Sequence, residues 1–156
     1  MKVAFISGHL DLTKEEFAEH YEGPIRSLAS LNYTFVVGDA PGCDFMAQRF
    51  LHELGACCVV YHMFDAPRHN FGHGKEGAEA TNTVGGFKSD KERDAALTAA
   101  SDIDIAWVRP GREKSGTAAN LARRRKSRQT ECRVKMSCYE TCKKGTRGCI
   151  DKHREG

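Results

Sequence analysis

Apolar positions along this chain switch between two spacings. Continuous apolar runs at residues 3–6, 33–37 and 57–63 predict strands buried on both faces, as parallel sheets require. The segments between them are helical in period. Thr13 and Glu16 form a capping box for an amphipathic helix that reaches Tyr21. Gly23 and Pro24 then predict a break or kink, after which Ile25, Leu28 and Leu31 share one face. A further helix at about 44–54 offers Phe45, Phe50, Leu51 and Leu54 to a core, with Gly55 closing it.

Residues 65–86 interrupt this rhythm with five glycines, one proline and no sustained apolar period. A loop of that length in a compact domain predicts a mobile flap over a ligand site. Helix resumes at about 88–100, a buried strand follows at 103–108, and Ser115-Gly116-Thr117 opens another helix. At 132–139 the run CRVKMSCY alternates enough to predict a final edge strand. The expected fold is α/β, a three-layer Rossmann-like open parallel sheet with helices on both faces and right-handed crossovers. It occupies residues 1–128, and 129–156 form an edge strand and a basic, Cys-containing tail rather than a separate domain.

Composition adds limits to that picture. With 156 residues, 40% apolar and 29% charged, the chain suits one domain with its own core. No apolar run nears the ~20 residues that cross a membrane, and the N-terminus lacks a secretory layout, so the expected location is cytoplasmic. Seven cysteines, an odd number, are then expected as reduced thiols, with Cys43 the one nearest a ligand loop. Residues 1–122 hold 12 Lys or Arg against 17 Asp or Glu, and residues 123–156 hold 12 against 4. A net −5 body thus carries a +8 tail, which could attract nucleic acid, although Tyr139 is its only aromatic for stacking on bases.

Ligands of open parallel sheets sit beyond the carboxyl ends of the strands. Three polar, glycine-containing loops fall there: Ser7-Gly8-His9, then Gly38 to Asp44 with Asp39 and Gly42 between them, then Arg109 to Thr117. The Gly116-Thr117 helix start suits a phosphate, because free N–H groups and the helix dipole favour an anion. Thr117 is open to two readings there, a phosphate contact or a helix cap. Asp44 is open to two readings, an N-cap or a ligand carboxylate. Arg93 is either a solvated helix charge paired with Asp90 or Asp94 or a phosphate clamp, and Ser7 and His9 either close a turn or touch the ligand. His69 and His73 lie among glycines that oppose a helix, so no metal is expected.

The order strand-SGH, strand-VVGDAPGCD, then an arginine-bearing helix, SDIDIAWVRPG and SGT resembles the SLOG superfamily. That group includes the LOG phosphoribohydrolases and the DprA proteins, and the layout is most similar to its YspA-like branch. Gly38, Gly42 and Asp44 answer its Gly-x-x-x-Gly-x-Asp loop, Arg93 its helix arginine, and Gly116 and Thr117 its phosphate turn. The resemblance covers roughly residues 2–125 and implies a nucleotide or nucleotide-derived ligand and a homodimer, and no further cofactor is expected. It also implies hydrolysis of the N-glycosidic bond of a nucleoside monophosphate. LOG hydrolases carry a Glu where this chain has Asn120, and an amide cannot serve as a general base. Asp44 becomes the expected catalytic carboxylate, and a nucleotide sensor without catalysis is the alternative.

Overall fold

The computed structural model describes residues 1–71 and 82–143, with side chains as far as residue 130. Five strands form one sheet: β1 (Val3–Ser7), β2 (Thr34–Val37), β3 (Cys58–Met63), β4 (Asn82–Phe87) and β5 (Ile103–Ala106). Their order is β4-β3-β2-β1-β5, and all four pairings are parallel. The chain therefore winds outward from β1 to β4, then returns past it to place β5 on the far side. That reversal at β1 opens a crevice between the loops after β1 and β5.

Alternation along the central strands divides the core into two layers. Ala4, Ile6, Phe35, Val37 and Ile105 face one way and pack with Phe17, Tyr21, Ile25, Ala47 and Leu51. Phe5 and Val36 face the other way, against Leu97. The first layer belongs to α1 (Lys14–Phe17), α2 (Gly23–Ser30) and α3 (Cys43–Glu53), the second to α4 (Asp90–Ala99). Helices thus cover both faces, as the apolar runs predict.

The Thr13–Glu16 capping box is present with both of its hydrogen bonds. No break occurs at Gly23-Pro24, although α2 does start there with Pro24 in its first turn. Residues 18–22 form a π-helical turn that joins α1 to α2 without interruption, and Gly23 keeps right-handed helical angles. Proline lacks an N–H and crowds the carbonyl four residues back, and the wider π turn absorbs both faults. Leu31 lies past the end of α2 and is 67% exposed, so it leaves the predicted face. Phe45 is likewise exposed, because the buried stripe of α3 runs through Cys43, Ala47 and Leu51. Gly55, at φ +64°, closes α3 as expected.

Two predicted elements are overturned. Within the expected flap, residues 82–87 are strand β4, an exposed, glycine-bearing sheet edge that pairs with β3. Residues 72–81, the middle of that flap, lie outside the described residues. The predicted edge strand at 132–139 is helical, part of α5 (Gly116–Lys143). No Gly or Pro occurs between Gly116 and Lys143, so nothing in the sequence stops the helix. The chain divides into Met1–Arg123, which holds the whole sheet, and Arg124–Gly156. Among the described residues no helix is long and apolar enough to cross a membrane.

Candidate functional site

The loops after β1, β2 and β5, with the start of α5 and one face of α4, enclose a cleft of about 400 Å³. Ser7, Gly8, His9, Gly38, Asp44, Arg93, Gly116, Thr117 and Asn120 all line it, as the topology predicts. Two predicted ligand residues, Asp39 and Gly42, do not. Gly42 instead caps α3 at φ +74° and ψ −122°, a backbone state closed to other residues, with its Cα against the carbonyls of His9 and Leu10. Asp44 is therefore not the N-cap. It sits in the first turn, and its carboxylate accepts the Ala40 N–H at 3.1 Å.

Asp39 is fully buried behind the cleft and holds two arginines. Arg93 Nη1 donates to Oδ1 at 2.6 Å, Arg68 Nη2 donates to the same oxygen at 2.9 Å, and Arg68 donates its N–H and Nε–H to Oδ2 at 3.0 and 3.1 Å. Burial opposes the charge, but the hydrogen bonds from Arg68 and Arg93 outweigh it and keep the Asp39 carboxyl well below the ordinary range. Asp44, five residues on, has the opposite fate. Burial pushes its carboxyl up to about 7, because the nearest guanidinium nitrogen, on Arg93, stands 4.0 Å away and Asp94 and Asp39 add like charge. Gly38 makes this arrangement possible, since a Cβ there would strike Asp44 Oδ2 and the Arg93 guanidinium.

Arg93 pairs with Asp90 and Asp94, as its place on the helix predicts, but it is buried and not solvated. It is 5% exposed, and Asp39, Asp90 and Asp94 engage its guanidinium at 2.6, 2.9 and 2.8 Å. Its role in the cleft wall is to gather carboxylates. Asn120 is equally committed: its Nδ2 donates to Asp94 Oδ2 at 3.1 Å and its Oδ1 accepts from Arg123 at 2.7 Å.

At the other end of the cleft, Ser115 and not Thr117 caps α5, accepting the Ala118 N–H at 3.3 Å. The N–H groups of Gly116 and Thr117 precede the first intrahelical bond, and both residues line the cleft. Ser7 is 5% exposed, and its Oγ is one of the two buried side-chain atoms without a hydrogen-bond partner among the described residues. His9 closes a turn, with Nε2 accepting the Arg109 N–H at 2.9 Å and its carbonyl accepting the Cys43 N–H at 3.1 Å. Burial first, then the charges of Arg109 and Arg112, hold its ring below the ordinary histidine value.

Several site residues carried no sequence signal. Tyr21, on the π turn, donates to the Ser7 carbonyl at 2.9 Å and accepts the Trp107 N–H at 3.0 Å, which ties the ends of β1 and β5. Arg68 lines the cleft from the segment predicted to be a flap. That segment is fastened up to residue 71, because Gln48 donates to the His69 carbonyl and accepts the Phe71 N–H at 2.8 Å. His69 places its ring nitrogen 3.2 Å from the Asp39 carbonyl, and His73 lies outside the described residues. Cys43 is fully buried, and burial raises its thiol well above the ordinary value, which removes it as a reactive thiolate.

This chain matches no family model, no curated protein and no solved structure. The geometry itself gives the cleft two chemical ends. Carboxylates gathered by arginine form one, and at the other a helix N-terminus and an unpartnered hydroxyl form a set of donors.

Proposed function

We propose that the cleft binds a nucleotide or nucleotide-derived phosphate ester and hydrolyses the N-glycosidic bond of a nucleoside monophosphate. The Ser7 hydroxyl carries this reading: it is buried, unpartnered among the described residues, and lines the same cleft as the N-terminus of α5. A phosphate supplies the acceptor that Ser7 and the Gly116 and Thr117 N–H groups require, and Arg112, paired with Asp11 at 2.7 Å, stands on the cleft rim. The base and ribose then extend toward α4 and Asp44.

Asp44 supports the hydrolytic half. A carboxyl near 7 exchanges its proton at neutral pH, which is what a general acid or base must do. In the proposed reaction, Asp44 delivers its proton to the departing base nitrogen as the C1′–N bond breaks. Water forms the new C1′–O bond and its released proton returns to the Asp44 carboxylate, leaving free base and ribose 5-phosphate.

Purified protein incubated with a panel of nucleoside 5′-monophosphates tests this directly, with free base read by chromatography and binding by thermal melting. Base release from at least one member is expected, and Asp44→Asn lowers that rate by about 100-fold or more. Melting shifts without any base release would leave a nucleotide sensor and end the hydrolase reading. No shift with any member would end the binding reading too.

A further inference from the structure

Asp94 lines the cleft, and both of its carboxylate oxygens are held in place. Arg93 donates to Oδ1 twice, from Nε at 3.1 Å and from Nη2 at 2.8 Å, so the carboxylate plane cannot turn freely. Asn120 Nδ2 donates to the other oxygen, Oδ2, at 3.1 Å. An amide can turn over and present its oxygen instead, which would repel the carboxylate. Arg123 prevents this. A guanidinium only donates, so its contact at 2.7 Å with Asn120 fixes the amide oxygen on that side and the NH₂ on the Asp94 side.

The same Arg123 nitrogen reaches Thr98 Oγ1 at 3.4 Å, and Thr98 donates to the Asp94 carbonyl at 2.9 Å. The brace therefore closes on the residue it positions. A carboxylate oxygen offers two acceptor sites, and Asn120 takes one of those on Oδ2. With the side chain 15% exposed at the cleft wall, the remaining site is open to a group that donates.

We infer that Asp94 sets ligand specificity by accepting a hydrogen bond from a sugar hydroxyl of the ligand, with Asn120 and Arg123 as positioning residues. The inference rests on the phosphate reading above, which supplies the anionic end of the ligand. It narrows the ligand: the preferred class is a phosphate ester of a polyhydroxyl sugar, not a phosphate ester in general. A phosphate ester without hydroxyls would leave the Asp94 acceptor desolvated and unmet.

Calorimetric titration with two probes, ribose 5-phosphate and propyl phosphate, separates the claims. The ratio of their affinities is the readout, because removing the Asp94 charge changes the affinity for any anion. Wild-type protein is expected to prefer ribose 5-phosphate by about tenfold or more, and Asp94→Asn to bring the ratio close to one. Arg123→Met is expected to lower the ratio by about threefold with the Asp94 charge intact, and Arg123→Lys, which keeps a donor, to restore it. A ratio unchanged in Asp94→Asn, or near one in the wild type while propyl phosphate still binds, overturns the inference alone. If neither probe binds the wild-type protein, the phosphate reading falls and this inference with it.

Discussion

At the β2 end of the cleft, buried charge is met by charge: Asp39 holds Arg68 and Arg93, and Arg93 also engages Asp90 and Asp94. At the β1 and β5 end, the Ser7 hydroxyl is left without a partner among the described residues, beside the open N-terminus of α5. One end spends its polar groups on holding the fold, and the other keeps them for something outside the chain. Asp44 stands between these regimes, buried like Asp39 but too far from the guanidinium to stay charged at ordinary acidity. Substitutions at the two ends should therefore act on different properties.

The largest effect is expected at Asp39. Asp39→Ala leaves the Arg93 guanidinium short of a buried counter-charge and strips acceptors from the Arg68 backbone and side chain, a loss approaching about 5 kcal/mol. Urea unfolding measures it. A cost under about 1 kcal/mol would mean that the arginine network does not hold the fold, and the contrast between the two ends would dissolve.

The two buried aspartates also predict opposite pH dependences. Asp39 has its folded pKa below the unfolded value, so its contribution is present above about pH 4 and is lost as acid protonates the folded form. Asp44 has its folded pKa raised from 3.8 to about 7, so its contribution is full below pH 4 and is lost as pH rises toward 7. Three pH units at about 1.4 kcal/mol each set the size of that loss at roughly 4 kcal/mol. Asp44→Asn should flatten the stability curve between pH 4 and 7 and leave the acid limb intact. An unchanged slope in that window would place the Asp44 titration elsewhere.

Much of this was legible in the chain. The apolar runs of β1, β2 and β3 are continuous because both faces of the central sheet are covered, and the glycine loops fall at one edge because parallel strands share a direction. The fourth strand escaped because an exposed edge needs no apolar run: Asn82 to Val84 are exposed and Gly85 and Gly86 carry no side chain. Nine of the eleven predicted site residues line the cleft, yet what they do there was hidden. Arg93 and Asn120 could be placed by order along the chain, and Asp90 and Asp94 stand beside Arg93 in sequence, but Asp39 lies 54 residues from Arg93 and Asp94 lies 26 from Asn120. Arg68 and Tyr21 had no local pattern to mark them, because each acts across the fold through one hydrogen-bonding group.

Gly42 is where the two ends meet, since its Cα rests on the His9 and Leu10 carbonyls while it caps α3 below the β2 loop. Gly42→Ala imposes a forbidden backbone state and a backbone collision, and should cost about 2 to 3 kcal/mol. Because the collision is with the Ser7 loop, the loss of stability should come with weaker phosphate binding, read by melting with and without phosphate. A destabilised variant that still binds phosphate as well as the wild type would show that the two loops are not coupled.

Ser7→Ala should give the smallest effect and the opposite sign. A buried hydroxyl without a partner costs the folded state about 1 kcal/mol, so its removal should raise the melting temperature of the ligand-free protein by a few degrees. The same change removes a donor to the proposed phosphate, so the stabilisation that phosphate gives should shrink, with affinity falling about fivefold. Greater stability together with poorer binding is the signature of a group kept for a ligand. Differential scanning fluorimetry with and without phosphate reads both quantities from one variant, and a lower melting temperature without ligand would show that Ser7 serves the fold, as Asp39 does.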